Sequence, residues 1–278
     1  MLQELDLLRA LLCLSLLAAP LGTHRFSIAG ASPHRRTAHA GALACAVAGV
    51  WTSAPALCVA WLVFCAASLA LFLRASGAAL RSPHILVGAV PLLFSNIAAV
   101  WLVGGANDLR ILGYGAAFSY YAALHGNVLG WMLMGALATL AERDGRAGHI
   151  YVAAVLVCLV SFLLIAFGID QLRALKPIGV AGLSIAIPAA QLAFLRSVRA
   201  RNRPAFVLGS VSLVGLAVTM ALAWANELSV PPPIDVAGVR GMVSVHGTLN
   251  LLVVAPSFAL AVALDAPTPR RSGHGATS

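Results

Sequence analysis

Two histidine–glycine pairs, His125-Gly126 and His246-Gly247, lie inside stretches that otherwise read as lipid-soluble helix: "YYAALHGNVLGWMLMGAL" and "SVHGTLNLLVVAPSFALAVAL". Imidazole, with an ordinary pKa near ~6.5, can give or take a proton at neutral pH, so a histidine away from water is a candidate general acid or base. Helical spacing sets its company. Tyr121 lies four residues before His125, while Met242 and Asn250 flank His246 at four residues on either side, so each group shares one helical face. Asn127, two residues after His125, faces elsewhere on its helix. The glycines let a neighbouring helix or a ligand come close. The expected catalytic set is His246, Asn250, His125 and Tyr121, extended by Asp108 and Glu227 if these helix-end acids reach a pocket opening outward. Asn127, Met242 and Arg240 are the candidate substrate contacts. The same residues also suit a purely structural role. A buried histidine with an asparagine partner ties helices together through hydrogen bonds worth about 1 kcal/mol each. Asn96, mid-span after Pro91, suits helix tying best, and Tyr120 and Trp131 read as packing or interface anchors.

The elements that position these residues follow from composition. Of 278 residues, 60% are hydrophobic and 10% are charged, against about 25% charged in a soluble domain. The chain is therefore expected to be an all-α, polytopic membrane bundle, because backbone groups in lipid must be satisfied within helices. Runs near the ~20 residues a span requires fall at Leu7–Gly22, Ala38–Thr52, Pro55–Leu73, His84–Gly104, Gly113–Leu140, Ile150–Ile169, Pro177–Leu195, Ala205–Ala225 and Val236–Leu264. The first could be a signal peptide, but Glu4 and Asp6 precede it where a basic segment is expected, so it reads as a span. His125 falls ~18 Å into its span, near the midplane. The proline run at residues 230–234 should be stiff and extended.

Charge sets the direction. Loops following the odd-numbered spans hold 13 of the 18 Lys and Arg residues, and the other side holds 5. The positive-inside rule then puts residues 265–278 in the cytoplasm as a tail, with the chain in the inner membrane. The net charge of +9 does not imply nucleic acid, since no basic run is interleaved with aromatic residues. The five cysteines lie in apolar segments without metal-site spacing and read as packing residues. No Walker, zinc, phosphate-loop or Ser-His-Asp pattern is present, and no cofactor is implied. No carboxylate sits mid-span, where proton- and sodium-coupled carriers often place one.

The approaches to the two His-Gly pairs are alike. Trp101 precedes Asn107-Asp108-Leu109, and Trp224 precedes Asn226-Glu227-Leu228. The triplets are offset by 119 residues and the His-Gly pairs by 121. Four spans separate equivalent points, which suggests a parallel repeat of residues 38–140 and 150–264 behind one extra N-terminal helix, within a single domain, 1–278.

The stretch "WLVGGANDLRILGYGAAFSYYAALHGNVLGWML", followed by Met242 and His246-Gly247-Thr248-Leu249-Asn250, resembles the YndJ-like family of bacterial membrane proteins over roughly residues 90 to 260. The family's His-containing segment reads here as Ser119-Tyr120-Tyr121, with His125 further on. The resemblance implies a multi-pass protein of a family often labelled as transporters, and it carries no mechanism. The residues themselves favour an intramembrane enzyme doing acid–base chemistry, such as isomerisation, cyclisation, or epoxide or ester opening, on a lipophilic small molecule among membrane lipids. The alternatives are a transporter for a small molecule and, less favoured, a b-type haem protein with two histidine ligands.

Overall fold

A computed structural model describes residues 4–21, 32–144, 148–229, 235–236 and 239–266. Among them are nine helices in chain order: α1 Glu4–Ala18, α2 Pro33–Trp51, α3 Pro55–Arg81, α4 Pro83–Ala106, α5 Ala116–Arg143, α6 Gly148–Ile169, α7 Leu175–Val198, α8 Arg203–Glu227 and α9 Met242–Leu264. The protein is an all-α bundle, and α3 to α9 are long and apolar enough to cross a membrane. The expected nine spans thus correspond to nine helices, of which seven meet the length and composition of a span. The two shortest runs fall below it: α1 has 15 residues, and α2 opens with the polar turn Pro33-His34-Arg35-Arg36-Thr37. The bundle carries a lipid-facing coat, with Val63, Val214 and Ile185 each more than half exposed.

The last span starts later than the sequence suggested. Val236, its expected first residue, lies in a two-residue ladder, Asp235–Val236 against Val239–Arg240, and α9 begins at Met242. A short apolar run on its own does not separate strand from helix. The proline run at 230–234 and the tail beyond residue 266 lie outside the described residues.

Helix starts follow local chemistry. Ser32 accepts from the Arg35 amide at the start of α2, and Asn202 accepts from the Ala205 amide at the start of α8, each followed by a proline in the first turn. Successive helices then pack as neighbours: α4 with α5, α6 with α7, α8 with α9. Asn96 ties α4 to α3, its Nδ2 donating to the Cys65 carbonyl at 3.2 Å, the helix-tying role expected of it. Tyr120 and Trp131 are core packing residues, 2% and 5% exposed. The short α1 is wedged between α2, the first half of α5 and the start of α9. Leu8, Leu11, Leu12 and Leu16 form its buried face.

The two ends of the bundle differ. At the end carrying Arg143 and Arg201, the Asp265 side chain is 1% exposed and accepts from Arg143 Nη2 at 2.9 Å and Arg201 Nη2 at 2.8 Å. Asn202 Nδ2 donates to the Leu264 carbonyl at 3.0 Å. These contacts fasten the C-terminal ends of α5 and α9 and the α7–α8 turn to one another. The half of α5 from Leu133 to Ala141 is almost wholly buried, so this end is solid. The opposite end, carrying Glu4, Lys176 and Glu227, opens into a cavity.

Candidate functional site

The backbone changes its winding at both histidines. In α5 a π-helical segment, Gly126–Leu133, begins directly after His125; in α9, Met242–Gly247 is π-helical and contains His246, followed by a second π segment at Asn250–Val254. Single π turns inside α-helices are uncommon and concentrate at functional sites, because they displace side chains from the regular helical register.

The two helices place their histidines in one cavity of about 580 Å³, which runs from the Glu4–Lys176–Glu227 rim to Leu133 and Ala255. The His125 and His246 rings are 6.0 Å apart, with 23° between their planes. Each ring is oriented by a main-chain carbonyl. His125 Nδ1 lies 3.0 Å from the carbonyl of Tyr121, one turn earlier in its own helix. His246 Nδ1 lies 3.0 Å from the carbonyl of Thr219 in α8. A carbonyl only accepts, so the proton of each neutral ring is assigned to Nδ1, and Nε2 keeps its lone pair. No described residue hydrogen-bonds either Nε2. The Tyr121 ring stands 4.5 Å from that of His125. Thr219 Oγ1 donates to Asn250 Oδ1 at 3.2 Å, so one threonine fixes both His246, through its carbonyl, and Asn250, through its hydroxyl. The other walls are apolar, among them Leu8, Phe118, Phe162, Leu183 and Met220.

Of the residues singled out in the sequence, His125, Tyr121, His246, Asn250, Met242 and Glu227 line this cavity. Glu227 stands at the rim, where Lys176 Nζ meets its Oε2 at 2.6 Å. Two residues are elsewhere. Asp108 is exposed in the turn after α4, at φ +50°, and does not line the cavity, so the expected acid–base set does not include it. Its neighbour Asn107 instead ties that turn to the start of α3, donating to the Pro55 carbonyl at 3.3 Å. Asn127 is wholly buried on another face of α5, its Nδ2 donating to Ser15 Oγ at 3.1 Å, which makes it a tie to α1 rather than a substrate contact. The backbone of Arg240 pairs with Asp235, and its side chain lies outside the described residues. Sequence reasoning missed Thr219 and Lys176. The available signal for Thr219 was a hydroxyl in mid-helix, and for Lys176 a lone lysine beginning an apolar run. Among the described residues no three His, Cys, Asp or Glu side chains converge as a metal centre.

No protein with a curated description matches this chain, and no solved structure does. The family model described as YndJ-like protein matches residues 12–254, a stretch that takes in both histidine segments and all of the bundle but the first turns of α1 and the last turns of α9, and the chain therefore belongs to the YndJ-like family.

Proposed function

We propose that this chain is an intramembrane enzyme that performs acid–base chemistry on a lipophilic small molecule. The observation that carries the reading is the pairing of His125 and His246 in an apolar cavity, each oriented by a carbonyl on Nδ1 with Nε2 left unpartnered. A pair of imidazoles that holds one proton contains a base and an acid. One Nε2 takes a proton from a substrate carbon or hydroxyl, and the protonated ring returns one at a second position. Such a step shifts a double bond or closes a ring, with no net consumption of protons. The fixed orientation of both rings means that little reorganisation accompanies the transfer. Asn250, held by Thr219, and Tyr121 supply polar contacts to orient substrate, and the surrounding leucine, phenylalanine and methionine side chains suit a lipophilic body. Read with the charge asymmetry, the cavity rim faces outward and the Asp265 cluster faces the cytoplasm. Cysteines introduced at Asp108 and Arg199 test that orientation: the first should label only from outside and the second only from inside, and the reverse pattern refutes it.

A second reading, a transporter for the same class of molecule, is favoured by one observation: the cavity reaches the rim, while the other end is closed by the Arg143–Asp265–Arg201 cluster. One experiment separates the two. Detergent-purified protein is incubated with a cellular lipid extract and followed by mass spectrometry, beside uptake into sealed vesicles. An enzyme consumes a compound in detergent, with no gradient, and His246→Gln lowers that turnover about 100-fold, the scale of a lost general acid or base. Vesicle uptake of an unchanged compound with no conversion in detergent refutes the enzyme.

A further inference from the structure

Beside the rim a smaller recess of about 180 Å³ is lined by Gly168, Ile169, Arg173, Lys176 and Glu227. It shares Ile169, Lys176 and Glu227 with the main cavity, so the two adjoin. Among the described side chains that line it the charges are unequal: two cations and one carboxylate. The Glu227 side chain, 14% exposed, is already engaged by Lys176. Arg173 is exposed and makes no ion pair or hydrogen bond through its side chain among the described residues. The wall is rigid. At Gly168 the end of α6 touches the backbone of Lys176 so closely that a side chain there would overlap it. The Lys176 amide closes a turn onto the Arg173 carbonyl at 3.3 Å.

An anion entering the recess meets Arg173 and Lys176 without displacing Glu227, and balances the charges of the described lining. A cation meets two like charges and one occupied carboxylate. Guanidinium favours oxyanions in particular, since its parallel N–H groups match phosphate and carboxylate oxygens. Glu4, the other acid of the rim, lines the main cavity and not this recess. Thr219, whose carbonyl orients His246, lies eight residues before Glu227 on α8, a rise of about 12 Å.

We propose that the substrate is an anionic amphiphile, whose phosphate or carboxylate head occupies the Arg173–Lys176 recess while its apolar body descends to the histidine pair about 12 Å below. This assignment rests on the lipophilic-substrate reading above and specifies its substrate class.

The test is calorimetric titration of the detergent-purified full chain, against a micelle blank, with decyl phosphate, decanoate, decanol, decylamine and inorganic phosphate. The two anionic amphiphiles should bind at least about ten-fold tighter than decanol and decylamine, roughly one lost charge-assisted contact. Arg173→Gln removes an exposed, unpaired side chain and should cut binding of the anions about ten-fold while leaving that of decanol unchanged. Lys176→Gln should do the same, although it also uncouples Glu227, so Arg173→Gln is decisive. Competition by phosphatidylglycerol supports the proposal with a membrane lipid as the source; binding of decyl phosphate without that competition supports it with a single-chain source. Equal or tighter binding of decylamine, no effect of Arg173→Gln, or inorganic phosphate binding as tightly as decyl phosphate overturns it. Anion-selective binding with no compound ever converted refutes the enzyme and leaves the head-group site standing, whereas conversion of neutral lipids without anion preference does the reverse.

Discussion

The two histidine helices began in the sequence as near-equivalents, and the bundle uses them differently. In α9 the whole motif faces the cavity: Met242, His246 and Asn250 line it together, and the preceding helix contributes Asn226 and Glu227. Of the corresponding motif before and in α5, only Tyr121 and His125 do so. The rest of that motif is structural, with Asn127 tied to Ser15, Asn107 tied to Pro55, and Asp108 exposed in a left-handed turn. The glycines divide in the same way. A side chain at Gly126 would overlap Ala98 at 2.8 Å, with the Phe94 carbonyl at 3.3 Å, so that glycine lets α4 and α5 touch. At Gly247 the nearest atom is Leu11 Cδ1 at 3.6 Å, an ordinary contact. His246 is anchored to a neighbouring helix and His125 to its own, so α9 depends on α8 for the aim of its imidazole. Similar motifs diverge because α1 packs against one face of α5 and converts it into an interface, leaving the cavity to the other.

The sharpest way to break this comparison is to remove each imidazole. His246→Gln should lower turnover about 100-fold with the fold retained, and His125→Gln should act similarly because both rings serve one cavity. If both variants only lower the thermal unfolding temperature and leave turnover intact, the histidines are helix ties and the contrast is one of packing alone. Next come the glycines. Gly126→Ala should destabilise by about 1–3 kcal/mol through overpacking against α4. Gly247→Ala should stay within about 0.5 kcal/mol, since an added methyl meets only ordinary van der Waals contacts. Unfolding in detergent measures both, and equal effects would remove the distinction. The asparagines give a smaller effect. Asn127→Ala should lose about 1 kcal/mol of stability, one hydrogen bond to α1, at unchanged turnover. Asn250→Ala should instead lower turnover, more mildly than the histidine variants, and an exchange of those two outcomes would reverse the assignment of the two faces. Least is expected at Asp108. Asp108→Gly, at a φ that glycine adopts freely, should change turnover not at all and stability by no more than about 0.5 kcal/mol. A loss of turnover there would return Asp108 to the site.

How much of this was legible beforehand depends on whether a feature is local in the chain. Helical spacing of three or four residues put Tyr121 with His125, and His246 with Met242 and Asn250, on shared faces, and the structure keeps those groupings despite the π turns. Composition was enough for an all-α, multi-pass chain, because apolar runs of span length leave helices as the only way to satisfy the backbone in lipid. It was not enough to separate seven long spans from two shorter helices, since span length and helix length coincide only when flanking turns are read correctly. Nor did a run beginning at Val236 reveal that its first residues form a ladder.

The sequence by itself determined that two imidazoles would stand inside a membrane bundle, each with a predictable neighbour one turn away. Only the tertiary structure decided that they meet in one cavity, that Lys176 lines it, that Thr219 orients His246 and Asn250, and that Asp108 and Asn127 do not line it. The physical reason is range. Periodicity fixes which residues share a face, but which faces meet depends on ridges, glycine contacts and wedged helices far apart in the chain, and the 121 residues between His125 and His246 carry no local signal of a 6.0 Å approach.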